Sequence, residues 1–441
     1  MPPIVAPPHP PMSNLELFIH VACAIVVIII MARLVGSFMV YIKQPRVVGE
    51  MIAGVLLGPT LFSTIMPDVT NYLFADTKPM IYILGNIGLS FYMFLVGIDI
   101  DFGKVDKLLR KQSLLLCTVA TIVPFALGGL AAWMYFDQLA LKGTSLMVFM
   151  IFLGTALSIM AFPMLARILD EKKLIQTKIG TLAMLSASGQ DVVTWILLAF
   201  IISLAKTGNF GKGITTLIGA VIFIAVAFLV ARPLLQKMAN NINKKGAMNQ
   251  THFAVVIVTL MVCAIATDMI GLYSVFGGFI IGLAMPREKL LISEIKVKLT
   301  DIMVVFLLPL FFAFSGLKTN FLKLFAPEYL VPSLVILAFA FGCKYIPVLL
   351  SMKWTGYSWR ESSAIGGLMT ARGLMELIVA TIGLENKIID ENTFSILVLI
   401  AVTTTLAAMP IYNLSLKNHP PTDTLDEQMG YKPNEVLRMS S

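Results

Sequence analysis

Apolar runs of membrane-crossing length follow one another along almost the whole chain, and short polar stretches between them carry most of the charge. A helix needs about 20 apolar residues to cross the hydrocarbon core of a bilayer. A scan at that length predicts thirteen spans, at 15–40, 46–64, 80–98, 112–136, 144–168, 178–205, 213–236, 250–268, 271–286, 298–317, 328–351, 361–384 and 393–416. The second and ninth are short and Gly-rich, so their ends are loosely fixed. The first apolar run, Leu17 to Val35, has no basic residues before it and no small-residue cleavage site after it, and reads as a spanning helix rather than a signal peptide. The expected fold is an all-α polytopic membrane protein of about 13 transmembrane helices.

Charge supports that count. With thirteen spans, one set of loops carries 23 Lys and Arg residues and the other set 7, while Arg33, Lys344 and Arg372 lie inside spans. One missed span would scramble this alternation, so the positive-inside rule places the N-terminus outside and the C-terminus in the cytoplasm. A chain of 441 residues that is 58% hydrophobic and 13% charged, with a mean hydropathy of +0.87, is not a soluble globular protein. Its net charge of +8 is mostly topological bias, which argues against nucleic acid as a partner. Residues 1–14 are Pro-rich and expected to be a disordered tail, residues 15–416 form the transmembrane domain, and 417–441 are a short cytoplasmic tail with no second domain. The four cysteines fall singly in apolar runs and suggest packing rather than disulfides or a metal centre.

Polar residues inside the spans mark the candidate site. The fifth span holds Gly154, Thr155, Ser158 and Pro163, and the twelfth holds Gly366, Gly367, Thr370 and Gly373 around Arg372. Proline breaks a helix, and irregular backbone at membrane depth is tolerated where polar groups serve it. Two such interruptions, seven spans apart, are what two inverted-topology repeats would give. Gly and Pro are also common in ordinary membrane helices, but here both interruptions coincide with polar residues.

Asp191 lies near the middle of the sixth span, beside Gln190. A charge at that depth costs about 2.5–3.5 kcal/mol on insertion scales, so it needs a function or a partner. Lys344 lies well inside the eleventh span with no acid in its own helix, and the two helices are expected to meet in a core. One acid beside one base is the minimal chemistry of an antiporter, in which Asp191 binds a proton or a cation in turn. Arg372 and Glu376 are four residues apart, the spacing of a structural ion pair along one helix face. Asp268 and Glu50 lie near span ends, where a gating role and simple exposure at the interface both fit. A proton-uncoupled channel or facilitator is the alternative, although no carbonyl-filter motif such as TVGYG is present. An intramembrane protease would need a second catalytic acid at depth, so the chain is not expected to be an enzyme.

The segments KQPRVVGEMIAGVLLGPTLF (43–62), FLVGIDID (94–101), ALSIMAFPMLARILDE (156–171), GQDVVTWILLA (189–199), IGLYSVFGGFIIGLAMPR (270–287), LLPLFFAFSGLKT (307–319) and MTARGLMELIVATIGL (369–384) resemble, in order, the second family of monovalent cation:proton antiporters. The nearest branch is that of plant cation/proton exchangers and fungal and bacterial potassium/proton antiporters. The resemblance implies two inverted repeats with crossed, interrupted helices, a homodimer, and an elevator-like motion of a core against a scaffold. It implies K+ or Na+ and H+ as the transported ions, no cofactor, no metal beyond the transported cation, and a cell membrane as the location. It carries ion binding to Asp191, Gln190, Thr155, Ser158 and Lys344. Electrogenic members have two adjacent acids where this chain has Gln190 and Asp191, so electroneutral one-for-one exchange is expected. Glutathione-gated potassium efflux antiporters share the Gln-Asp pair, which tilts the cation towards K+.

Overall fold

The computed structural model describes residues 13–99, 107–171, 174, 177–207 and 210–416. Of the expected tails at 1–14 and 417–441, residues 1–12 and 417–441 lie outside the described residues, as do the side chains of Pro163 and Arg167, while Ser13 caps α1 and Asn14 opens it. Every expected span contains helix: α1 Asn14–Tyr41, α2 Arg46–Leu57, α3 Lys78–Asp99, α4 Lys107–Met134, the pair α5a Leu146–Ser158 and α5b Phe162–Glu171, and α6 Lys178–Thr207. After these come α7, which starts at Phe210–Val226 and ends at Arg232–Lys245, then α8 Gln250–Met269, α9 Ser274–Ala284, and α10, which runs through Lys289–Ile302 and Leu308–Gly316. The series closes with α11 Pro327–Trp354, the pair α12a Trp359–Met369 and α12b Gly373–Glu385, and α13 Glu391–Ser415.

Among the described residues ten helices are long and apolar enough to cross a membrane, and the pair α12a–α12b, bent by 40°, makes eleven. The two expected spans outside that count are the broken α5 and the 11-residue α9. At 1.5 Å per residue α9 is only about 16 Å long, too short to cross alone. Local sequence explains the other irregularities. Ser13 and Glu16 form a capping box that starts α1, and Ser358 with Glu361 does the same for α12a. Wide π-helical turns at Ala227–Ala231 and Met303–Leu307 precede Pro233 and Pro309. Each proline ring would strike the carbonyl four residues back, and the wider turn relieves that clash.

The helices form two groups, α1, α2, α3, α8, α9 and α10 on one side and α4, α5, α6, α11, α12 and α13 on the other, with α7 against α6 and α9. Packing repeats after a shift of seven elements. The contact of α2 with α10 has its counterpart in α9 with α3, that of α4 with α5a in α11 with α12a, and that of α6 with α5 in α13 with α12. An odd shift reverses direction across the membrane, as inverted repeats require.

The short helices α2 and α9 approach their partners through glycine. A Cβ at Gly316 would strike the backbone of Gly54, one at Gly54 the carbonyl of Phe312, and one at Gly282 the carbonyl of Phe94. Small residues allow such approach in lipid, where packing replaces the hydrophobic effect between helices. Gly316→Val is expected to lower stability by about 1–3 kcal/mol through overpacking. Gly342→Ala, whose nearest neighbour is the tip of Ile346 at 3.9 Å, should change little. Thermal unfolding midpoints of the two variants in detergent check this.

Candidate ion site

The site is built where the two broken helices cross. α5a stops at Ser158, which leaves the carbonyls of its last turn short of helical partners, Ala156 O keeping only the Ile159 N–H at 3.4 Å. Two buried cations from other helices take them. Arg372 donates to Ala156 O at 2.8 Å and Leu157 O at 2.6 Å, and Lys344 donates to Ser158 O at 2.7 Å and Ile159 O at 2.6 Å. All four terminal carbonyls are therefore satisfied, and two positive charges sit at the negative end of the helix dipole. Hydrogen bonds from charged donors are worth about 1.5–3 kcal/mol each, so this arrangement fixes the break firmly.

The second break is tied to the first. Ala161 N–H donates to Ala371 O at 3.2 Å, which joins the two interruptions directly. Gly373 opens α12b with φ of +48°, a backbone conformation that suits glycine. Thr405 Oγ on α13 accepts from the N–H groups of Arg372 and Gly373 at 3.3 and 3.1 Å, serving the free donors at the start of α12b. Arg372 also reaches Ala340 O at 2.7 Å and Glu376 at 3.3 Å. The expected pair of Arg372 and Glu376 is thus present, running from the N-cap of α12b to its first turn.

Asp191 is fully buried at the middle of α6. Neither of its carboxylate oxygens receives a hydrogen bond of normal geometry. The groups that face it are the N–H of Phe162, at the positive start of α5b, and the Lys344 ammonium. Lys344 is not within ion-pair distance of Asp191, because its ammonium is held by the α5a carbonyls. The two side chains share the core, and the charge of one reaches the other without contact.

Gln190 projects towards α4, its amide donating to Cys117 O at 3.4 Å, while its carbonyl oxygen is buried without a partner. Thr155 and Ser158 are buried in the last turns of α5a, and their hydroxyls donate to Ile151 O and Thr155 O, both at 2.8 Å. Six predicted residues therefore gather in one helix group: Asp191, Lys344, Thr155, Ser158, Arg372 and Glu376, with Gln190 turned to the side. Asp268 and Glu50 do not join them. Asp268 is exposed one residue before α8 ends, and Glu50 is buried in α2 within the other group. Sequence reasoning missed Thr405, whose signal was a run of three threonines in an otherwise apolar span.

Comparison with known proteins places this architecture. Residues 21–412 match the family described as sodium/hydrogen exchanger, transmembrane. The chain is 36% identical over 389 residues to the Na(+)/H(+) antiporter NhaS4 of Synechocystis, covering 88% of this chain and 95% of that protein. It is 35% identical to cation/H(+) antiporter 19 of Arabidopsis thaliana over 89% of this chain, and 31% identical to K(+)/H(+) antiporter 1 of Saccharomyces cerevisiae over 91%. The chain spans about half the length of those last two relatives, 49% and 46%. The sodium proton antiporter MjNhaP1 of Methanocaldococcus jannaschii shares the fold at a TM-score of 0.61 and 17% identity, over 93% of this chain and 99% of that one. The chain is a multi-pass integral membrane protein that belongs to the sodium/hydrogen exchanger family of transporters, in the cation/proton antiporter branch that its motifs resemble.

Proposed function

We propose that the protein exchanges one monovalent cation, K+ or Na+, for one proton, with Asp191 as the carrier of both. The observation that carries this reading is a fully buried acid at mid-helix with no hydrogen bond of normal geometry, beside a helix break whose carbonyls are already taken. Bare and sealed from water, such a carboxylate is costly, and either a proton or a cation removes the cost. Asp191, Glu376, Lys344 and Arg372 sum to zero charge when all are ionised. Loading Asp191 with H+ or with M+ gives the same total of one positive charge, so both legs of the cycle carry equal charge. Electroneutral exchange follows.

Alternating access would come from sliding the group that holds the site against the other group. Their boundary includes an apolar cleft lined by Val47, Tyr92, Leu308 and Phe312 on one side and Met164 and Leu374 on the other. Such a surface has few directional bonds to break. The outer faces of α1, α7 and α8 expose large apolar side chains such as Phe38, Leu229 and Val262, which suits lipid or the second copy of a homodimer. A cell membrane is the proposed location.

The test is exchange in proteoliposomes with K+, Na+, Li+ and Rb+ at two membrane potentials. Rates independent of potential support one-for-one exchange, and rates that respond to it overturn the stoichiometry. Because proton and cation compete for Asp191, the apparent KM for the cation should fall as pH rises, by reciprocal linkage. Cation flux that leaves internal pH unchanged would favour a channel instead.

A further inference from the structure

Polar bonds between the two helix groups are found at the face where α3 begins and α12b ends, which the charge bias assigns to the outside. Residues 317–321, after α10, are held from both sides there. Thr60, just past α2, donates through its hydroxyl to Thr319 O at 3.0 Å and accepts from Phe321 N–H at 3.2 Å. From the other group, Ser395, the fifth residue of α13, accepts from Asn320 N–H at 2.9 Å, and it is almost completely buried. Nearby, Tyr82 on α3 donates to Glu385, the last residue of α12b, at 3.3 Å. Lys318 lies over the ring of Phe314 at 4.2 Å and feels the charges of Glu385 and Glu391. Burial holds the Lys318 ammonium below its usual value, against the pull of those two acids.

α12b runs from the break beside Arg372 to Glu385, and α13 carries Thr405 beneath that break. Both anchors on the site-bearing side are thus on helices that touch the interruption itself. A displacement of that group along the boundary must pull Ser395 from Asn320 and Glu385 from Tyr82, while Thr60 keeps the strap on the other group.

We propose that Asn320–Ser395 and Tyr82–Glu385 form a latch that closes the outer face and sets the balance between inward-open and outward-open states. This rests on the alternating-access reading above. Each bond is of modest strength, as a latch that opens every cycle needs. An apparent affinity scales with the fraction of the binding-competent state, so weakening the latch should show at one face only.

The test uses the full chain in proteoliposomes of a single orientation. Tyr82→Phe, Ser395→Ala and the double variant should each lower the apparent KM for the cation offered at the latch face, by about fivefold per hydrogen bond of ordinary net strength. The KM at the opposite face should not fall. A second variant, Tyr82→Cys with Glu385→Cys, joined by a flexible bifunctional methanethiosulfonate, should lose exchange and regain it on reduction, with reagent-treated parent as control. Unchanged KM at both faces, or full exchange in the cross-linked variant, overturns the latch while leaving antiport intact. An inactive parent chain would bring down the antiport reading, and the latch with it.

Discussion

Asp191→Asn is expected to reduce cation-driven proton flux to the level of protein-free liposomes without weakening the fold. Asparagine matches aspartate in shape and keeps an amide oxygen facing the Phe162 N–H, but it cannot hold an exchangeable proton or neutralise a cation. If exchange is a competition for this carboxylate, no rate remains once it is gone. Stability should move the other way or not at all. The wild-type carboxylate is fully buried with no hydrogen bond of normal geometry, and an incompletely compensated buried charge costs several kcal/mol. The variant's unfolding midpoint should therefore equal or exceed that of the parent. Flux surviving in a well-folded Asp191→Asn protein would remove Asp191 from the transport cycle.

Arg372→Met should have the opposite profile, a loss of fold. The guanidinium serves three carbonyls on two helices and the Glu376 carboxylate, all of them buried. Removing it leaves the Glu376 charge and Leu157 O without the partner the guanidinium gave them, while Lys344 still holds Ser158 O and Ile159 O, at a cost of about 3–5 kcal/mol. That is a large share of the stability of any one folded unit. The yield of monodisperse protein and the unfolding midpoint in detergent should both fall sharply. Adding Glu376→Gln to Arg372→Met should recover part of the loss, because it removes the orphaned charge. Arg372→Lys keeps the charge but loses the fork that reaches several carbonyls at once, and should fall between. A midpoint for Arg372→Met equal to that of the parent would mean that the break is held by something else.

Much of this architecture is legible in the sequence because the membrane imposes a coarse, repetitive signal. Apolar length and loop charge located α1, α3, α4, α6, α8, α11 and α13 closely, and buried polar residues marked both interruptions. Legibility failed where the partner of a side chain is backbone. The position of Lys344 at mid-span announced a partner, and an acid was the natural guess. The actual partners, Ser158 O and Ile159 O, belong to peptide units that look alike in any sequence. The same holds for Thr405, which acts on two N–H groups of another helix. Span length failed for α9 for a related reason. Its glycines in SVFGGFIIGLA mark a close approach to α3 at Gly278 and Gly282 and to α8 at Gly277, but a sequence does not say which helix approaches.

The occupied carbonyls of α5a bear on how an alkali ion sheds its water. In pores that strip K+ bare, rings of backbone oxygen replace the hydration shell. Here the four backbone oxygens at the end of α5a are already bound to Arg372 and Lys344. On the proposed reading, an ion at Asp191 is offered a carboxylate, the Thr155 and Ser158 hydroxyls and its own retained water. Such a coordination sphere adapts to ions of different radius. Discrimination between K+ and Na+ would then rest on how much water the closed state can enclose, and enlarging or shrinking that enclosure should alter ion preference more readily than it alters coupling to the proton.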